Sequence, residues 1–224
     1  AGWVHSVRTH GALTFIDIRD RYGRTQVTCK DLDSVPGKES VIQIEGTVQK
    51  KDEENKALAT GAIEVDVSNL KLLTKSKALP LDENATEETR LKYRYLDIRN
   101  NNVLDNLAFR SSVTHAAREF FVQQGFLEVE TPLLVKSTPE GARDYVVPSR
   151  VNKHSFYALP QSPQLYKQIL MIAGVDKYFQ LACFLRDEDL WADRQPEHSQ
   201  FDFEISFVHK EDVQVFVEGL IKNV

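Results

Sequence analysis

The stretch from Phe184 to Phe207, FLRDEDLWADRQPEHSQFDFEISF, decides the reading of this chain. An apolar run ends in Arg186-Asp187-Glu188, a charged loop follows, and a second alternating run carries Asp202 and Glu204. Alternation with period two marks half-buried strands, so the segment predicts two strands joined by a long polar loop. Arg186 and Glu188 stand two apart, which in an extended strand turns both to one face, and Asp202 and Glu204 repeat that spacing. A guanidinium there clamps a carboxylate or phosphate with paired hydrogen bonds, which lysine does less well. One such pair alone reads as a salt-bridged sheet surface. The whole set, with Gln164 and Lys167 upstream, reads as a site that holds an anion beside a cation.

Composition bounds the rest. With 224 residues, 42% hydrophobic and 27% charged, the chain suits one soluble core or two smaller ones. No apolar run is long enough to cross a membrane, and the opening AGWVHSVR lacks the shape of a signal peptide. Cys29 and Cys183 lie far apart without metal-type spacing, which predicts structural thiols in a reduced, cytoplasmic setting. The net charge of −5 argues against coating nucleic acid by bulk electrostatics. Basic and acidic residues balance over residues 1–75, so the acidic excess lies entirely in the remainder. Any nucleic-acid contact on the first part must therefore be local.

The first part reads as five short strands: 1–8, 13–20, 25–29, 41–48 and 63–73, broken by Gly11, Gly23, Pro36-Gly37 and Gly61. That suits a Greek-key barrel of the OB type, although strand periodicity leaves another small barrel open. Residues 74–85 read as a linker, and Thr86 can cap a helix opened by Glu87 and Glu88. An amphipathic helix is predicted from Asn102 to Gln124, then a strand in FLEVETP stopped by Pro132, a helix over Ser162–Ala173 and a last one over Lys210–Lys222. The fold class is thus α+β: a barrel over 1–73, a linker and hinge over 74–101, and a sheet with flanking helices over 102–224.

Within the 184–207 stretch, FLRDEDLWADRQPEHSQFDFE (residues 184–204) resembles motif 2 of the class II aminoacyl-tRNA synthetases, and GFLEVETPLL resembles the end of their motif 1. STPEGARDYVVPSR and FYALPQSPQLYKQIL are similar to the amino-acid pocket of bacterial-type aspartyl-tRNA synthetases. LKYRYLDIR resembles their hinge, and GWVHSVRTHGALTFIDIRD their anticodon-binding OB domain. The resemblance spans essentially the whole chain. It implies an ATP-dependent ligase that attaches L-aspartate to its tRNA through an aspartyl-adenylate, in a cytoplasmic homodimer formed through motif 1. Arg186 would hold the aspartate α-carboxylate and the α-phosphate; Asp187, Glu188, Gln195, His198 and Glu204 would line the ATP site. Glu140, Gln164 and Asp202 would surround the aspartate ammonium, and Lys167 would pair with its side-chain carboxylate and so reject asparagine. Arg8, Phe15 and Gln26 would read the anticodon of tRNA for aspartate, with asparagine tRNA as an open alternative. From residue type alone Phe15 reads as core; only the resemblance turns it outward. Magnesium would come with ATP, but no metal ligand is assigned among these residues.

The chain also departs from the family. His198 stands where an aromatic packs on adenine, Trp191 replaces an arginine of the loop that meets the tRNA acceptor end, and Leu185 replaces an aromatic. The connection from Lys30 to Ser40 is shorter than usual. Motif 3, with the arginine that grips the γ-phosphate, does not occur, which makes the chain read as part of a longer protein that is weak or inactive alone. An inactive synthetase-like module that binds tRNA or protein is the alternative. Ending after motif 2 predicts an exposed apolar edge around Phe201, Phe203 and Ile205.

Overall fold

The computed structural model describes residues 1–224 except Asp31, Asp33, Glu83, Asn100, Pro139 and Leu190. The short Lys30–Ser40 connection, the linker, the hinge and the TPEGARD segment therefore each include a residue outside the description. Two compact units emerge, Ala1–Arg99 and Asn100–Val224.

In the first unit β1 (Gly2–His10), β2 (Leu13–Arg19), β3 (Arg24–Lys30), β4 (Val41–Lys50) and β5 (Ile63–Thr74) close a barrel in the order β1-β2-β3-β5-β4. All neighbours run antiparallel except β3 and β5, which are parallel. Alternation explains the core. Val4, Ile16, Ile18, Val27, Cys29 and Ile42 turn inward and are buried, while Phe15, Asp17 and Arg19 take the outward positions of β2. Gly46 sits at a bulge of β4, where a Cβ would lie 2.3 Å from the Asp66 carbonyl oxygen, so no larger residue fits. The linker and hinge segment up to Arg99 belongs to this unit. Thr86 does cap α1 (Glu87–Lys92) by accepting from Thr89 N at 3.3 Å. The helical stretch is interrupted at Tyr93 (φ −109°, ψ 39°) before α2 (Arg94–Asp97), a break that the sequence pattern did not signal.

The second unit is built on α3 (Asn101–Gln123). Its end is a Schellman motif: Phe126 N donates to Phe121 O, Gly125 N donates to Val122 O, and Gly125 takes φ +79°. The Phe126 and Phe121 rings meet edge-on at 5.2 Å, the hydrophobic contact that closes such a motif. The chain then enters β6 (Leu127–Glu128), only two residues long, which pairs in parallel with β9 (Lys177–Leu185). β9 pairs antiparallel with β10 (Glu197–Ile205), giving a sheet ordered β10-β9-β6. A small hairpin of β7 (Val146–Pro148) and β8 (Phe156–Ala158) precedes α4 (Gln164–Ile172), and α5 (Lys210–Asn223) follows β10.

The expected exposed apolar patch around Phe201, Phe203 and Ile205 is not found. These side chains are half-buried, packed on Phe121, Phe126 and Phe179 with Phe216 and Leu220 beside them. The reason is coverage: α3 and α5 deliver Phe121 and Phe216 onto that face, with Phe121 stacked on Phe179 at 4.4 Å.

Candidate active site

The other face of the same two strands is polar. Register sets Tyr178 opposite Glu204, Gln180 opposite Asp202, and Phe184 opposite His198, and directly opposed residues share a face. α4 lies against it and lowers Lys167 between the two acids. Its Nζ is 3.1 Å from Asp202 Oδ1 and 3.1 Å from Glu204 Oε2. The lysine side chain is 12% exposed and that of Asp202 9%, while that of Glu204 is 38% exposed, so the cluster is enclosed at its lysine–aspartate end and opens to solvent at Glu204.

Burial opposes charge on Lys167, but its hydrogen bonds to Glu204 and Asp202 outweigh that and raise its pKa. Asp202 is pulled both ways. Burial raises its pKa and the Glu204 charge adds to that, against the lowering by Lys167, and the net direction is upward. The two shifts conflict over how ionic the pair is. We stand behind the lysine's direction, because two acceptors converge on one ammonium. An ammonium has three donors, so Lys167 retains one for a further acceptor. Among the described residues the buried Asp202 Oδ2 has no hydrogen-bond partner. The Tyr178 hydroxyl is also buried near Gln180 and Asp202, yet meets neither in hydrogen-bonding geometry; burial raises its pKa well above the phenol range.

Gln164 opens α4 and is exposed, one turn ahead of Lys167 on the same helix face. Glu140 is fixed by Thr138 Oγ1, which donates to Oε1 at 3.1 Å, and by Ser162 Oγ, which donates to Oε2. Glu140 and Ser162 share a small cavity of about 40 Å³, and among the described residues Glu140 makes no ion pair with Lys167.

Arg186 sits one residue past the end of β9. Its N–H still donates to Pro196 O at 2.9 Å, extending the ladder, and Nε donates to Gln161 O at 3.3 Å. Glu188 has already left the sheet, so the expected common strand face of Arg186 and Glu188 is corrected. The loop brings them together instead. Arg194 Nη1 reaches Glu188 Oε2 at 3.2 Å, and Arg143 Nε lies 3.7 Å from Asp187 Oδ2. The result is a pocket of about 340 Å³ lined by Arg186, Glu188, Asp193, Arg194, Gln195 and His198. Asp187 turns away toward Arg143, Glu204 belongs to the lysine cluster, and Trp191 is 71% exposed on the loop.

Two residues escaped the sequence reading. Gln161 is 3% exposed and pins the 140–144 loop: Ala142 N donates to its Oε1 at 3.0 Å, and its Nε2 donates to Ala142 O at 2.8 Å and to Asp144. Ser162 steadies Glu140. The QSPQ run contains both, but no spacing rule separates a glutamine that braces a loop from one that faces a ligand.

On the barrel, Phe15 is half-buried on the outer side, opposite Arg8 and Thr28. Gln26 accepts from Lys51 Nζ at 3.0 Å and donates to Glu64 Oε2 at 3.1 Å; Arg8 Nη2 approaches it at 3.4 Å. The structure thus gathers Arg8, Phe15 and Gln26 on one surface.

Among the described residues no three His, Cys, Asp or Glu side chains converge in a metal-binding group. No helix among them is long and apolar enough to cross a membrane.

A closed OB-type barrel followed by a helix-flanked sheet with this arginine-headed pocket defines the class. Residues 1–73 match the OB-fold nucleic acid binding domain of the anticodon-binding type, and residues 86–224 match tRNA synthetases class II (D, K and N). The chain belongs to the class II tRNA synthetases. It is 52% identical to an aspartate–tRNA(Asp/Asn) ligase of Thermotoga neapolitana and 51% identical to an aspartate–tRNA ligase of Mycoplasma mycoides, covering 100% of this chain in each case. The chain spans 40% of the length of each relative. Among solved structures it is similar to asparaginyl-tRNA synthetase of Pyrococcus horikoshii complexed with asparaginyl-adenylate (TM-score 0.85, 26% identity, 99% of this chain and 52% of that one). A putative aspartyl-tRNA synthetase of Leishmania major shares the fold at TM-score 0.85 and 23% identity, over 99% of this chain and 47% of that one.

Proposed function

We propose that this chain supplies the anticodon-reading barrel and the amino-acid and ATP face of a cytoplasmic aspartate–tRNA ligase. The observation that carries this reading is the half-buried Lys167, with one donor to spare, on the same sheet face as the pocket headed by Arg186. An aspartate side chain brings a carboxylate to that donor. An asparagine amide would offer that donor only a neutral acceptor, a weaker partner for an ammonium than a carboxylate. The orphaned Asp202 Oδ2 suits the substrate ammonium, together with Glu140 and Gln164.

The aspartate α-carboxylate oxygen attacks the α-phosphorus of ATP, the bond to the β-phosphate oxygen breaks, and pyrophosphate leaves. Arg186 bridges the two reacting anions and stabilises the charge that grows on the α-phosphate. Glu188 and Gln195 bind ATP, and His198 stacks on adenine; Asp187 and Glu204 shape the surroundings. The terminal ribose hydroxyl of tRNA then attacks the aspartyl carbonyl and AMP departs. Magnesium carried with ATP supplies further charge neutralisation when bound.

The barrel reads the anticodon of tRNA for aspartate through Phe15, Arg8 and Gln26, with asparagine tRNA as the finer question, and Trp191 meets the acceptor end. α3, which exposes Leu104, Leu107 and Phe109, forms the contact with a second copy. Calorimetric titration with a non-hydrolysable aspartyl-adenylate analogue tests the reading. Saturable 1:1 binding, weakened by at least about 10²-fold in Arg186→Gln, is expected from loss of a bidentate charge-assisted contact. Absent binding, or equal binding by Arg186→Gln, would overturn it.

A further inference from the structure

The outer face of β1, β2 and β3 carries three successive rows of side chains. One row is Arg8, Phe15 and Thr28; the next is Ser6, Asp17 and Gln26; the third is Trp3, Arg19 and Arg24. The first two hold the base-reading residues proposed above. The third has had no role, and it is the most basic part of this surface.

Arg19 is fully committed. Its Nη1 and Nη2 reach Glu39 at 2.9 and 3.0 Å, and Arg99 Nη1 takes Glu39 Oε2 at 2.9 Å. Arg19 and Arg99 also lie over Trp3 at 6.0 and 5.7 Å. Arg24 differs. Its Nη1 lies 2.9 Å from His5 Nε2, and it makes no ion pair among the described residues. The neighbouring acids are engaged elsewhere: Ser6 donates to Asp17 at 2.6 Å, Asp20 accepts from Tyr22 N and Gly23 N, and Glu39 answers Arg19 and Arg99. Burial and the cations Arg24, Arg19 and Lys38 lower the His5 pKa against the opposing influence of Asp17, so the imidazole stays neutral and accepts from Arg24. A guanidinium has five donors. His5 holds one and leaves a fixed fork outward, a geometry that matches a phosphate.

We infer that Arg24, oriented by His5, is a phosphodiester subsite for the RNA strand flanking the bases read at Phe15. This rests on the proposal that the barrel binds the anticodon loop. Arg19, across the ladder from Arg24, is four residues from Phe15, about 13 Å along the strand. A short run of flanking nucleotides spans that distance while the base being read stays at the aromatic platform. The subsite carries no base information; it sets register and contributes to affinity.

Fluorescence anisotropy with a labelled stem-loop RNA bearing the aspartate anticodon, read across a salt series, provides the test. Arg24→Gln is expected to weaken binding by about 5- to 10-fold, equally for cognate and base-substituted loops, and to lower the log–log salt slope by about one unit. Arg24→Lys keeps the slope. His5→Ala weakens binding less than Arg24→Gln. Replacing single loop phosphates by methylphosphonates must weaken the native protein at one flanking position and leave Arg24→Gln indifferent there, which separates a lost contact from a misfolded variant. An unchanged slope in Arg24→Gln, or an effect confined to the cognate loop, would overturn the subsite while Phe15→Ala still weakened binding. If the native protein and Phe15→Ala both ignore the RNA, the anticodon reading itself falls, and the subsite with it.

Discussion

The two faces of the β9–β10 ribbon are made from alternate residues of the same eighteen-residue framework, yet they do opposite things. On one face Phe179, Phe201 and Phe203 join Phe121, Phe126 and Phe216 in an aromatic core with every group satisfied by packing. On the other, Tyr178, Asp202, Glu204 and Lys167 form a polar cluster with two orphaned oxygens and conflicting ionisation preferences. A site can keep unmatched groups only if the strand that carries them is held from behind. The aromatic face holds it; the polar face is left open for chemistry.

That contrast can be broken from the core side first. Phe121 is 0% exposed and touches six other rings, so Phe121→Ala is expected to cost about 3–5 kcal/mol. Guanidinium denaturation monitored by circular dichroism measures this, and a loss under about 1 kcal/mol would mean that the aromatic face is not what holds the ribbon.

A second comparison concerns acid sensitivity. Glu39 is buried, which by itself raises its pKa, but Arg19 and Arg99 outweigh that and hold it below the ordinary carboxylate range. A depressed folded-state pKa contributes stability that is present above the unfolded value of 4.5 and lost as pH falls through the lower folded value. The barrel's thermal midpoint should therefore fall below about pH 4.5, and Glu39→Gln should flatten that dependence. A native-like acid slope in Glu39→Gln would assign the effect elsewhere.

The smallest effect comes from the polar face. Tyr178→Phe removes a buried hydroxyl without a partner, so stability should rise by up to about 1 kcal/mol rather than fall. A loss of similar size would mean that the hydroxyl is in fact hydrogen-bonded.

What the sequence made legible follows the strength of periodicity. The five barrel strands lie where alternation and glycine punctuation put them, and in the structure the alternation of β2 turns Ile16 and Ile18 inside. The three-residue strands β7 and β8 are too short for any period to register. The break at Tyr93 carries no glycine or proline to announce it. Residue type alone sets Phe15 in the core, whereas its register opposite Arg8 sets it on the outer side. Within the site, Lys167, Asp202 and Glu204 were nominated by residue type and motif, whereas Gln161 acts through backbone atoms of a loop nineteen residues away in sequence, which leaves no pattern to read.

The central claim is that Lys167 selects the substrate carboxylate on the polar face. The direct test is the ratio of affinities for aspartyl- and asparaginyl-adenylate analogues in the native protein and in Lys167→Met. The account predicts a native preference for the aspartyl analogue of at least about 10²-fold, collapsing toward parity in Lys167→Met because the charge-assisted contact that favours a carboxylate over an amide disappears. Retention of the full aspartyl preference by Lys167→Met would contradict it.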